Sequence, residues 1–180
     1  MTHILSFSEP RMRRVFNRGV KFVKRSVWVL GKALVVYDSV YGNTEKAASA
    51  LAKGLGEGGV DVATLKVDAV KFEELSKYDL LAVGGPVHAW NMTKPIKAFL
   101  DRLKTIEGLS GKKGFAFDTK MSKSGLAGNA GGKIEGGLKG LGLKIAMPHA
   151  TAVVKGNEGP LEEGAEEAFA KLGAELAKMI

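Results

Sequence analysis

Six residues, Ser39 to Thr44, have the composition of an anion-binding loop. They lie between an apolar run and a segment with helical periodicity, so the loop would present main-chain N–H groups at the positive end of a helix dipole. The hydroxyls of Ser39 and Thr44 and the amide of Asn43 add neutral donors, and Gly42 would let the backbone approach an anion closely. Lys and Arg are absent from the loop, which suits a phosphate that is held without being chemically changed. The alternative interpretation is an ordinary capped turn.

The segments around this loop alternate between strand and helix patterns. Short apolar runs predict strands at Ala33–Tyr37, Val60–Leu65, Leu80–Val83 and Gly114–Phe117, with fifth-strand pieces at Leu143–Met147 and Thr151–Val154. Apolar residues at helical spacing predict helices at Glu45–Glu57, Thr93–Leu103, Ile134–Leu141 and Leu161–Ile180, the last with Met179 among its inward residues. Residues 118–132 are rich in Gly, Ser and Lys and are predicted as a loop. The alternation predicts a doubly wound α/β domain with a parallel sheet and helices on both faces.

Three stretches of this pattern resemble the flavodoxins and their relatives. Ser39-Val40-Tyr41-Gly42-Asn43-Thr44 resembles their loop for the phosphate of flavin mononucleotide (FMN), usually Ser/Thr-x-Thr-Gly-Asn-Thr, which also follows the first strand. Gly84 to Asp101 is similar to the Gly-x-Pro…Asn-Met-x-x-Pro-(Ile/Leu)-Lys-x-Phe-Leu-Asp segment of flavodoxin-like quinone reductases. Phe115–Lys120 and Gly156–Leu161 resemble small, mostly archaeal members. The resemblance covers residues 33–180 and none of residues 1–32.

The resemblance implies a five-stranded parallel sheet of order 2-1-3-4-5 in a flavodoxin-like three-layer sandwich, with FMN bound non-covalently. The candidate FMN-binding residues are Ser39, Val40, Tyr41, Gly42, Asn43, Thr44, Pro86, Val87, His88, Ala89, Trp90, Asn91, Asp118, Thr119 and Lys120. They follow strands one, three and four. Ligands of doubly wound sheets bind at the carboxyl ends of the strands where the order reverses, a rule for which flavodoxin is itself a standard example.

Individual roles follow from the same resemblance. Trp90 is predicted to stack on the flavin, the alternative being a surface or core tryptophan. His88 either contacts the flavin or a substrate quinone or is a solvated loop histidine. Asn91 tolerates a positive φ better than most residues, so a peptide near flavin N5 could flip there and stabilise the semiquinone.

The resemblance also implies electron transfer through FMN. Two roles stay open: a carrier that docks to a redox partner protein, and a small reductase that takes hydride from NAD(P)H and passes it to a quinone or similar small acceptor. The third alternative is a flavodoxin-fold interaction module without cofactor, because Val40 and Tyr41 depart from the usual loop residues and residues 118–128 contain no aromatic residue.

Charge and composition restrict the partners. The chain of 180 residues has a net charge of +8, but residues 1–32 hold eight basic residues and one acid, while the remainder holds 19 basic and 18 acidic residues. With a net charge of only +1, residues 33–180 are not expected to bind nucleic acid. There is no cysteine, which excludes thiolate metal sites and thiol catalysis and fits a cytoplasmic location. No metal site is predicted.

Residues 1–32 differ from the rest in composition. A basic amphipathic helix on an anionic membrane surface, a targeting peptide and an extension without a role in the fold are the three interpretations. The longest apolar run, Val27 to Leu30, is far too short for a signal-peptide core or a membrane span.

Overall fold

A computed structural model describes residues 31–121, 128–156 and 158–180. Most of the basic N-terminal segment lies outside these residues, so the domain boundary near residue 32 and the three interpretations of residues 1–32 stay predictions. Among the described helices, none is both long enough and apolar enough to cross a membrane.

Within the described residues, the fold contains six strands and four α-helices. The strands are β1 (Lys32–Tyr37), β2 (Asp61–Lys66), β3 (Leu80–Pro86), β4 (Lys113–Lys120), β5 (Lys144–Ile145) and β6 (Ala150–Val153). The helices are α1 (Asn43–Glu57), α2 (Lys94–Leu103), α3 (Ala130–Gly140) and α4 (Ala165–Ala177), with short 3-10 turns at Val67–Ala69 and Phe72–Lys77.

The strands form one parallel sheet in the order β2-β1-β3-β4-β5, and β6 also pairs with β4. The predicted order 2-1-3-4-5 is therefore confirmed. Two short strands share the fifth position, because β5 pairs with the start of β4 and β6 with its end. Pro148 lies between them, and a proline lacks the N–H that a continuous strand would need.

Two hydrophobic cores fill the faces of this sheet. Ala33 and Val35 of β1 pack on the side of α1 and α4, while Leu34 and Val36 pack on the side of α2 and α3. Burial on both faces explains why β1 is a continuous apolar run. Helices α1 and α4 touch backbone to backbone, since a Cβ at Gly54 would lie 1.8 Å from the carbonyl oxygen of Ala170. This contact fixes α1, whose N-terminus borders the site.

Several boundaries differ from the sequence prediction. Residues 118–120 continue β4 instead of starting a loop, and α3 begins at Ala130, inside the predicted loop. Helix α4 begins at Ala165 and not at Leu161, because Leu161 pairs with Val154 in an isolated antiparallel bridge. The prediction that Met179 faces inward is wrong, since it lies beyond the last turn of α4 and is 40% exposed.

Candidate functional site

A cleft of about 490 Å³ opens at the carboxyl ends of β1, β3 and β4. Its volume lies in the range of about 300–1,000 Å³ that is usual for small-molecule sites. Twelve of the fifteen predicted residues line it, and the exceptions are Gly42, Asn91 and Asp118. The sequence prediction missed three lining residues: Met121, Val154 and Gly156. Val154 directly follows β6, so applying the strand-end rule to the fifth strand could have identified this side of the cleft.

The loop after β1 (residues 38–42, the β1 loop) combines free donors with an uncapped helix. Gly42 is the N-cap of α1 with a φ of 82°, so the cap residue has no side chain that could accept from the first-turn amides. These amides have no acceptor within an α-helix. The hydroxyl oxygen of Ser39 is buried and has no hydrogen-bond partner in the described protein. Buried polar atoms are almost always paired, so this one indicates a missing acceptor.

Three polar side chains beside the loop, those of Asn43, Thr44 and Thr119, have hydrogen-bond partners. The hydroxyls of Thr44 and Thr119 are 2.8 Å apart, which ties α1 to the end of β4. A hydroxyl pair shares one hydrogen, so the other hydrogen remains available to a ligand. The Asn43 amide donates to the carbonyl of Glu158 at 2.8 Å and thereby holds the segment after β6 against α1.

A hairpin follows β3 (residues 87–92, the β3 hairpin). The N–H of His88 donates to the carbonyl of Asn91 at 2.8 Å, and the N–H of Asn91 donates back to the carbonyl of His88 at 3.0 Å. Ala89 and Trp90 form the turn with φ values of 47° and 59°. Positive φ at both central residues is the geometry of a type I′ turn. Asn91 itself does not have a positive φ here, and its side-chain oxygen accepts from the N–H of Met92. The peptide flip at Asn91 stays a prediction.

Apolar side chains surround the mouth of the cleft. Among the described residues, the exposed large hydrophobic side chains are Val40, Tyr41, Trp90, Met121 and Met179, and all except Met179 line the cleft. A concentration of exposed apolar surface around a concave site is typical of a ligand or partner surface.

Asp118 lies inside the protein and not in the cleft. Its carboxylate is fully buried and accepts from the N–H of Gly131 at 2.8 Å and from the hydroxyl of Thr151 at 2.7 Å. These bonds join β4 to the start of α3 and to β6. Asp118 thus stabilises the edge of the sheet. Because it does not line the cleft, the geometry does not support its predicted contact with a cofactor.

The charges near the cleft are few. Among the described residues that line the cleft there is no Asp, Glu or Arg, and Lys120 is the one lysine; it is 8% exposed and donates to the carbonyl of Gly128 at 3.1 Å. Behind the β1 loop, burial and then a hydrogen bond to the Glu45 carboxylate raise the pKa of the Tyr37 hydroxyl. Tyr37 therefore stays neutral, and its hydroxyl is hydrogen-bonded to the carboxylate of Glu45 in the first turn of α1.

A doubly wound sheet with a donor-rich loop after β1, and a cleft where the strand order reverses, is the architecture of flavodoxin-like proteins. Comparison with known proteins agrees with it. Residues 35–171 match the flavodoxin family, and the chain belongs to that family.

Individual relatives carry two kinds of name. The chain is 32% identical over 165 residues to a flavodoxin of Aquifex aeolicus, covering 84% of this chain and 88% of that one. It is 29% identical over 124 residues to an NAD(P)H dehydrogenase (quinone) of Archaeoglobus fulgidus, covering 53% of this chain and 65% of that one. A solved flavodoxin from the domain Archaea superposes with a TM-score of 0.70 at 27% identity, covering 82% of this chain and 97% of that one.

Proposed function

We propose that this chain binds FMN non-covalently in the cleft, with the phosphate at the start of α1, and transfers electrons through it. The names of its relatives support this proposal, because they include flavodoxins and NAD(P)H-dependent quinone dehydrogenases. The proposed contacts are residues 39–44, residues 86–91, Thr119 and Lys120.

The buried hydroxyl of Ser39 carries the proposal. It has no acceptor among the described residues and lies in the same loop as the N-cap glycine of α1. A phosphate would accept from this hydroxyl and from the first-turn amides, and the helix dipole would favour its negative charge. The absence of Lys and Arg from residues 38–44 means that the anion would be bound through neutral donors.

The rest of the cleft suits a flat, largely apolar ring. Trp90 and Tyr41 offer exposed aromatic surface, and Val87 and Met121 offer aliphatic surface, all lining one cleft. Bound FMN supplies one- or two-electron transfer at its ring edge, while the protein sets orientation, access and potential.

The choice between carrier and reductase concerns the partner. Residues 33–180 have a net charge of only +1, and the described cleft-lining residues include no carboxylate. Because flavodoxin-type carriers are typically strongly acidic, the near-neutral surface favours a reductase that takes hydride from NAD(P)H and passes it to a quinone or similar small acceptor.

Titration of the purified full chain with FMN tests the proposal. We expect saturable binding at one FMN per chain, with quenched flavin fluorescence. Absence of binding would leave the interaction module without cofactor as the better explanation. Anaerobic stopped-flow mixing of the FMN-bound protein with NADPH then separates the two roles, since a reductase bleaches the flavin absorbance in a saturable reaction and a carrier does not.

A further inference from the structure

Lys120 places a buried basic side chain in the proposed flavin cleft. It is the last residue of β4 and is 8% exposed. Burial of a charged ammonium is unfavourable unless an anion or several hydrogen bonds compensate it. The described residues give the Lys120 ammonium one acceptor, the carbonyl oxygen of Gly128 at 3.1 Å.

No carboxylate of the described residues forms an ion pair with Lys120. Asp118 lies two residues earlier on the same face of β4, but its two oxygens accept from Gly131 and Thr151. Among the described residues, only one carbonyl oxygen thus offsets the positive charge of Lys120. Since the side chain lines the cleft, a ligand bound there could supply negative charge.

The direction of the side chain separates Lys120 from the β1 loop. Thr119 faces α1, where its hydroxyl contacts that of Thr44. Successive residues of a strand point to opposite faces, so Lys120 points to the α2 and α3 side. There its ammonium donates to the carbonyl of Gly128. Gly128 itself packs closely on the β3 hairpin, since a Cβ added at Gly128 would lie 2.7 Å from the Cα of Trp90. The cation thus lies at the hairpin end of the cleft, away from the anion-binding donors.

We propose that Lys120 raises the reduction potential of the flavin ring. This inference rests on the proposed FMN binding. A nicotinamide donor delivers two electrons and one proton together as hydride, which oxidises the nicotinamide and turns the neutral oxidised ring into an anionic reduced ring. A cation beside the ring in a partly buried site favours the anionic form more than the neutral one. Lys120 therefore makes the bound flavin a better hydride acceptor.

Three variants separate this charge from the hydrogen bond to Gly128. Lys120→Gln removes the charge but keeps an N–H donor, Lys120→Met removes both, and Lys133→Met neutralises an exposed lysine that reaches the same hairpin through the Trp90 carbonyl at 3.4 Å. For each protein, flavin fluorescence gives the dissociation constant of oxidised FMN, and anaerobic equilibration with a reference dye gives the two-electron potential.

We expect Lys120→Gln and Lys120→Met each to lower the preference for reduced over oxidised FMN about tenfold, which is about 30 mV for a two-electron couple. Lys133→Met should shift that ratio less than about twofold, because water and salt screen an exposed charge.

One result would overturn the inference while leaving FMN binding intact. It is an unchanged potential in both Lys120→Gln and Lys120→Met, with Lys120→Met weakening oxidised and reduced FMN equally, which would make Lys120 only a tether for Gly128. Absence of any FMN binding would overturn both this inference and the proposed function.

Discussion

The β1 loop and the β3 hairpin lie at the same edge of the sheet but are built in opposite ways. The β1 loop has an unpaired hydroxyl and uncapped amides, and its positive φ falls on a glycine, Gly42. The β3 hairpin satisfies its own backbone through two bonds between His88 and Asn91. Its positive φ values fall on Ala89 and Trp90, each at a conformational cost of about 1–2 kcal/mol.

This difference separates two ways of preparing a binding site. The β1 loop is conformationally relaxed and lacks a hydrogen-bond acceptor, so a ligand would complete it. The β3 hairpin has its hydrogen bonds but is strained, and it displays a large aromatic side chain at the cleft. Strain of this kind collects at binding sites, where the surroundings enforce it. Variants of the β1 loop and of the β3 hairpin test this difference separately.

Ser39→Ala should weaken FMN binding about ten- to a hundredfold. The hydroxyl would donate to a charged phosphate, and such bonds contribute about 1.5–3 kcal/mol. The free protein should not lose stability in urea denaturation, because the hydroxyl has no partner to lose. Ser49→Ala, at an exposed position of α1, is the matched control and should bind FMN normally. Equal affinities of the two variants would contradict the role of the β1 loop.

Gly42→Ala should destabilise the free protein by about 1–2 kcal/mol. A Cβ at Gly42 meets nothing within 4 Å, so the whole effect comes from forcing a side chain into a φ of 82°. Gly56→Ala is the control, since its Cβ also meets nothing within 4 Å but it lies inside α1. That variant should gain about 0.5–1 kcal/mol. Urea midpoints that move in the same direction for both variants would refute the explanation.

Trp90→Leu should weaken FMN binding by about 0.5–1.5 kcal/mol, the usual contribution of an aromatic pair beyond area burial. Trp90→Phe keeps a ring and should retain most of the affinity. Fluorescence titration of both variants checks this. If Leu and Phe are equivalent, the side chain only covers the cleft and does not stack.

Ala89→Gly should stabilise the free protein by about 0.5–1 kcal/mol, because relief of left-handed strain exceeds the added backbone entropy of the unfolded chain. The stability change has the opposite sign to that of Gly42→Ala, because one substitution removes a Cβ at a positive φ and the other introduces one. Thermal or urea unfolding measures it. A loss of stability in Ala89→Gly would mean that the hairpin is not strained.

The parts of the fold that sequence could predict are those with regular apolar patterns. β1 and α1 were identified to within about two residues, because a doubly buried parallel strand and an amphipathic helix leave distinct periodicities. Residues 118–120 begin a stretch, 118–132, whose Gly, Ser and Lys content predicts a loop. They are buried here because Asp118 and Thr119 find partners on α3, β6 and α1, contacts that only the tertiary structure creates.

The site shows the same division. The donors of the β1 loop could be predicted from residue type, since hydroxyls and glycine before a helix have a local meaning. The positive φ values of Ala89 and Trp90 could not, because neither residue type favours that conformation and two hydrogen bonds with the surrounding packing impose it. Lys120 is among the FMN-binding residues predicted from the sequence. Its burial could not be predicted, because the hydrogen bond to the Gly128 carbonyl is a contact that no local sequence pattern indicates.

The central claim is that the β1 loop binds the phosphate of FMN. Parallel titrations of the full chain with FMN and with riboflavin, which lacks the phosphate, test it directly. The account predicts that FMN binds at least about a hundredfold more tightly than riboflavin, since the phosphate would receive several charge-assisted bonds at the start of α1. Equal affinities for the two flavins, or no binding of either, would contradict it.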